Sequence, residues 1–167
     1  IEGSPVSITS PSAARSLGIE TVYQDLALFD NLDPAANFYA GRENGVPRWL
    51  PPGLRVLRSR AMTVETIRVL ERLAVGLPDP RAHVGLMSGG QRQAVAFARA
   101  AAFASRVVIL DEPTAALGLR ESRSVLDLII RLRDAGHALI VISHAMDHVM
   151  EVADRAIVMR RGRKVGE

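Results

Sequence analysis

The stretch that decides the fold is Val107-Val108-Ile109-Leu110-Asp111-Glu112-Pro113. Four apolar residues run without alternation, as in a strand covered on both faces of a parallel sheet, and stop at two adjacent carboxylates and a proline. Open α/β sheets bind ligands at the carboxyl ends of their strands, so Asp111 and Glu112 stand where chemistry is expected. Asp111 would extend along the strand toward a Mg²⁺ ion. Glu112, aimed at the opposite side, could polarise a water for attack on phosphorus. An acidic turn after a strand accounts for the pair equally well when it is taken alone.

Reading outward, residues 120–135 form an amphipathic helical pattern stopped by Gly136, and 138–143 form a second buried strand. A short helix over 145–152 leads to a strand at 156–159, and a turn at Gly162 returns the chain through Lys164-Val165. Strands alternating with helices predict an α/β fold with a parallel sheet and right-handed crossovers. Upstream, 88–104 is alanine-rich and helical, and 62–75 carries a helical rhythm ended by Gly76. Residues 41–52 shift to Gly, Pro and Arg, which is loop chemistry. Residues 34–40 read as a helical turn or two, after a turn-rich stretch over 24–33. Before that come a short strand at 19–23, a helix opened by Ser10-Pro11 and ended by Gly18, and a short strand at Val6-Ser7-Ile8. The expected organisation is an α/β core made of 1–31 and 105–167, with a helical subdomain, 32–104, inserted at one end of the sheet.

Composition narrows the class. The 167 residues include 20 Arg, 1 Lys, 18 acidic residues and no Cys, and 48% are hydrophobic. That is too much apolar material for a disordered tail and enough for a core, while the most apolar stretch, 94–104, is interrupted by Arg99 and too short to span a bilayer. Without cysteine there is no disulfide scaffold, thiolate zinc site or cysteine nucleophile. The net charge of +3 is a small excess. Arginines cluster at 42, 48, 55, 58 and 60, and again at 155, 160, 161 and 163 with Lys164. With only four Phe, two Tyr and one Trp, no stacking platform accompanies them, so they read as solvated faces and no nucleic-acid partner is expected.

Three further elements carry chemistry. Leu86-Met87-Ser88-Gly89-Gly90-Gln91-Arg92-Gln93 precedes a helix that Ser88 caps, and the glycines leave the first-turn N–H groups open to an anion. A helix cap explains the serine and one glycine but not the whole block. His144 follows the strand at 138–143, at another carboxyl end, where an imidazole could hydrogen-bond a terminal phosphate. His148 lies four residues on, but without a glutamate beside His144 or a further ligand nearby the pair does not read as a zinc site. Gln24 ends the strand at 19–23, bringing an amide toward the same sheet edge.

Together the four elements resemble the nucleotide-binding domain of ABC transporters, over essentially all 167 residues. Ser88-Gly89-Gly90-Gln91 looks like the family signature and 107–112 like its Walker B strand. Gln24 corresponds to the Q-loop and His144 to the switch histidine. The segments Thr21-Val22-Tyr23-Gln24-Asp25-Leu26-Ala27-Leu28 and Glu112-Pro113-Thr114-Ala115-Ala116-Leu117 are most similar to ATPase subunits of bacterial ribose, xylose and fructose importers.

The resemblance implies a P-loop NTPase-like fold and the cofactors ATP and Mg²⁺. Asp111 and Gln24 would serve the metal, Glu112 would act as general base, and His144 would hold the γ-phosphate and attacking water. Ser88, Gly89, Gly90 and Gln91 would contact the nucleotide held by a second such domain. The implied partners are that second domain, a transmembrane permease and, indirectly, an extracytoplasmic sugar-binding protein. The implied location is peripheral, on the cytoplasmic face of the bacterial inner membrane.

The sequence departs from the family in two places. It has no Gly-x-x-x-x-Gly-Lys-Ser/Thr loop, its one lysine being Lys164. Since the family places that loop before the position of Ile1, an amino-terminal truncation is expected. Gly118 also stands where many members carry aspartate. The competing expectations are a soluble ABC-type ATPase acting on nucleic acid or ribosomes, and a non-hydrolytic interaction module.

Overall fold

A computed structural model describes residues 1, 3–43, 45, 46, 56–115 and 117–167, with the backbone alone at 45, 46, 56 and 57. Arg48, Arg55, Ala116 and most of the expected loop at 41–52 lie outside the described residues.

Helix α1 (Pro11–Ser16) begins where Ser10 Oγ accepts the Ala13 N–H at 3.1 Å, and Pro11 fills the first turn, where a missing N–H is harmless. Gly18 then turns the chain at φ +78°, a conformation that suits glycine. A Cβ there would stand 2.1 Å from Ser105 Oγ, so a side chain at this position would force Ser105 to move. Strand β1 (Ile19–Val22) follows, and after the turn-rich stretch comes α2 (Pro34–Tyr39), capped by Asp33. Two-residue strands β2 (Gly45–Val46) and β3 (Val56–Leu57) pair antiparallel.

Helix α3 (Ser59–Arg72) ends earlier than its glycine suggests. Ala74, not Gly76, takes the left-handed turn, at φ 51°, where Val75 N–H donates to Leu70 O at 2.8 Å. A single 3₁₀ turn, Val84–Leu86, precedes α4 (Gly89–Phe103). Then come β4 (Val107–Asp111), α5 (Leu119–Asp134), β5 (Ala138–Ile142), α6 (Met146–Val152), β6 (Val158–Arg160) and β7 (Arg163–Gly166).

The main sheet has the order β1-β4-β5, all parallel. Gly18 O starts it by accepting the N–H groups of Arg106 and Val107 at 3.1 and 3.2 Å. Register places Val22 beside Leu110, and Asp111 beside Ile142. The three strands therefore end level, and the residues that follow them emerge along one edge.

Two expectations about strands are corrected. Val6-Ser7-Ile8 forms no strand, because among the described residues no strand pairs with it and Val6 and Ile8 are exposed. The 156–159 strand contributes only β6, which pairs antiparallel with β7 and does not extend the parallel sheet.

One face of the sheet is packed and the other is not. Val108 and Leu110 are fully buried, and their register partners Leu139 and Val141 pack on the same core. On the opposite face Ile140 and Ile142 are 52% and 50% exposed. The expectation that 138–143 is a buried strand therefore fails on that face, which no described helix covers. The core itself is continuous, joining Phe38, Met62 and Phe97 from the helical stretch to Val22, Leu110 and Leu128. Arg131 Nε reinforces the junction by donating to Leu73 O at 2.9 Å.

Candidate active site

At the level edge of the sheet, β1 delivers Gln24, β4 delivers Asp111 and Glu112, and β5 delivers His144. Gln24 and Asp111 line one open cavity of about 710 Å³, together with Tyr23, Asp25 and Ala27. Beside it, His144 Nδ1–H donates to Glu112 Oε1 at 2.8 Å. The carboxylate accepts only, so the bond places the ring proton on Nδ1 and leaves Nε2 facing outward. Glu112 is 23% exposed and His144 84%, so the glutamate is set into the edge and the histidine stands proud of it.

Glu112 has an unusual backbone. Its φ is 49°, in the left-handed region that residues other than glycine seldom adopt, while its N–H still donates to Ile142 O at 2.9 Å. That conformation comes directly after the end of β4, and the side chain reaches the residue that follows β5, His144. The loop beyond is held from two sides. Buried Gln93 donates from Nε2 to Pro113 O, and Thr114 Oγ1 is hydrogen-bonded to His148 Nδ1 at 3.0 Å. His148 thus has a loop-holding contact, and among the described residues no group of three or more His, Asp or Glu could hold a metal.

The segment Ser88–Gln91 does not line the cavity. It forms a complete capping box, in which Gln91 N–H donates to Ser88 Oγ at 3.3 Å and Ser88 N–H donates to Gln91 Oε1 at 2.9 Å. The glycines serve close packing. A Cβ on Gly89 would come within 3.3 Å of Leu117 Cδ2, and one on Gly90 within 3.1 Å of Glu121 Cγ. The segment just before it is pinned by Val84 N–H to Leu32 O and Gly85 N–H to Asp30 O, both at 2.9 Å.

Reasoning from sequence missed three features here. The Glu112–His144 bond joins residues 32 apart. Glu121 sits against Gly90, and its Oε2 lies where a Cβ of Gly118 would point, at 2.6 Å. Arg99, inside an otherwise apolar helix, reaches the turn after Gln24 and donates to Leu26 O at 3.0 Å and Ala27 O at 2.9 Å. Only Arg99 left a signal in the sequence, as the one charge interrupting residues 94–104.

A parallel sheet whose carboxyl edge gathers two carboxylates, an amide and an imidazole has the layout of an α/β ATP-binding cassette. The chain belongs to the ABC transporter family, whose model matches residues 1–115. It is 48% identical to the fructose import ATP-binding protein FrcA of Rhizobium meliloti, over 99% of this chain and 64% of that one. With the xylose/arabinose import ATP-binding protein XylG of Sulfolobus acidocaldarius it shares 42% identity, over 97% of this chain and 62% of the relative. The chain thus spans less than two thirds of the length of these relatives. A solved nucleotide-free ATP-binding cassette from an ABC transporter shares the fold, with a TM-score of 0.76 at 21% identity, covering 99% of this chain and 66% of that one.

Proposed function

We propose that this chain is part of an ATP-hydrolysing subunit that powers sugar import through an ABC permease. The observation that carries the reading is the Glu112–His144 hydrogen bond across adjacent strand ends, beside the cavity that Asp111 shares with Gln24. The names and identities of the relatives support the sugar-import part of it.

The donor set fits magnesium with a triphosphate. Mg²⁺ keeps most of its waters and phosphate oxygens and takes one or two oxygens from protein, the number that Asp111 and Gln24 offer. When bound, the metal supplies positive charge against the charge that builds on the transferred phosphoryl group. Glu112 takes the proton of the attacking water. His144, oriented through Nδ1, presents Nε2, which accepts from that water and donates to the γ-phosphate when it too carries a proton. Gln24 senses the occupied site and relays closure to the permease. Ser88, Gly89, Gly90 and Gln91, at the amino end of α4, face the nucleotide held by a second domain in a head-to-tail dimer.

The phosphate-binding loop belongs, in this reading, to the part of the relatives that the chain does not span. Residues 1–31 with 105–167 act as the ATPase core and 32–104 as the helical subdomain that docks on the permease. No described helix is long and apolar enough to cross a membrane, and the subunit works as a peripheral protein on the cytoplasmic face, with the sugar delivered by an extracytoplasmic binding protein.

The test is Glu112→Gln in a protein of the relatives' full length. Loss of general-base catalysis should lower ATP turnover by roughly 10²–10⁴-fold, and light scattering should detect an ATP-bound dimer. Unchanged turnover would remove Glu112 from the role of base. A full-length protein that neither binds nor hydrolyses ATP would replace the enzyme with an interaction module.

A further inference from the structure

The turn after Gln24 contains two consecutive left-handed residues that are not glycine, Leu26 at φ 60° and Ala27 at φ 45°. Single non-glycine residues in this region are uncommon, and adjacent ones persist only where surrounding contacts over-determine them. Within the turn, Leu26 N–H donates to Tyr23 O at 2.9 Å and Ala27 N–H to Asp25 O at 2.8 Å. Gln24 therefore sits inside a tight loop whose return path is strained. Its neighbours Tyr23, Asp25 and Ala27 line the same cavity as Asp111.

What holds the return path comes from another element. Arg99, most of the way along α4, extends NH1 to Ala27 O at 2.9 Å and NH2 to Leu26 O at 3.0 Å, one donor to each strained residue. A guanidinium is a rigid fork of donors, suited to gripping two adjacent acceptors at once. The side chain is half-buried, and burial pushes its pKa down, with Arg42 and Arg15 adding repulsion and Glu20 opposing them. Glu20 is not its ion-pair partner, since it pairs with Arg42 at 2.7 Å. A desolvated cation whose hydrogen bonds go to backbone carbonyls has been placed for those carbonyls.

We propose that Arg99 is a positioning residue for Gln24: by clamping the carbonyls of Leu26 and Ala27, it fixes the loop that presents Gln24 to the Asp111 cavity. The same helix begins at the Ser88 capping box, so the clamp also ties the Gln24 loop rigidly to the signature segment. A movement of α4 must then move the loop with it. The catalytic side of this role rests on the ATPase reading above. The mechanical side, a loop held by a clamp, does not.

The experiment compares Arg99→Met, Arg99→Lys and Arg99→Met combined with Leu26→Gly and Ala27→Gly, all in a protein of the relatives' full length. Misplacing a group near the reacting centre lowers turnover more than ground-state binding, so Arg99→Met should reduce kcat by about tenfold and leave KM for ATP within about twofold. Hydrogen exchange should speed up over residues 23–28 while α5 keeps its protection. Lysine, which can serve one carbonyl, should recover part of kcat.

The decisive arm is the glycine pair. Glycine enters the left-handed region without strain, so the loop should regain its shape without the clamp, and kcat should return to within about threefold of wild type. A kcat and an exchange pattern unaltered in both Arg99 variants would overturn the proposal. So would a loss in Arg99→Met that the glycines fail to restore, since that would make Arg99 a general packing residue. If Arg99→Met does not fold, the same outcomes are read from Arg99→Lys, with and without the glycine pair. If wild type hydrolyses no ATP, the functional reading fails, and unchanged exchange at 23–28 in the variants is what would overturn the clamp.

Discussion

Glu112 carries both the proposed proton transfer and a strained backbone, with φ at 49°. Strain at a reacting group persists only because neighbours enforce it, here Ile142 O on the amide and His144 on the carboxylate. Glu112→Gly should release that strain and keep the amide bond. The expected outcome is a chain more stable by about 1 kcal/mol in thermal denaturation, in a protein that no longer turns over ATP. A less stable variant would mean that the bond to His144 outweighs the backbone strain. The types and order of Gln24, Asp111, Glu112 and His144 were legible in the sequence, because a carboxylate pair after an apolar run and a histidine after the next strand are local patterns. The bond between Glu112 and His144 was not, since it depends on β4 and β5 lying side by side.

Among the elements, α4 shows how one short segment can serve two purposes. Ser88 and Gln91 close a capping box, while Gly89 and Gly90 let Leu117 and Glu121 approach. Ser88→Ala removes an acceptor for a first-turn N–H that nothing else in the helix can satisfy, and should cost about 1 kcal/mol in urea denaturation. A change below a few tenths would show that water replaces the cap. The helix and its start were legible from Ser88 and the alanine-rich run after it. The box was not, because it requires the Gln91 side chain to fold back on Ser88 when it could as well reach outward. At the end of α3 the glycine signal misled, for tertiary packing of Leu73 and Val75 on the core turned the chain two residues before Gly76.

At the scale of the whole molecule, the outer face of the sheet is only half covered among the described residues. Ile140 and Ile142 present a half-exposed apolar face, and Ile157, Val158, Met159 and Val165 of the hairpin region add to the exposed apolar surface. Such a surface favours self-association. Ile140→Lys in this chain should lower light scattering at a given concentration and shift stability by less than about 0.5 kcal/mol, as for an exposed site. A large destabilisation would show that the face is covered in solution. The sequence predicts a buried strand at 138–143, since an apolar run looks the same whether or not a neighbour is there to cover it. The α/β class, the parallel sense of the sheet and the candidate residues at strand ends were legible in the sequence, because hydrophobic runs, caps and turn residues act over a few positions. Tertiary structure decided what depends on residues far apart in the chain: the pairing of β1 with β4, the bare face of β5, the bond from His144 to Glu112, and the grip of Arg99 on the loop that carries Gln24. The last two contacts join residues 32 and 72 positions apart, and local preferences carry no information over that range.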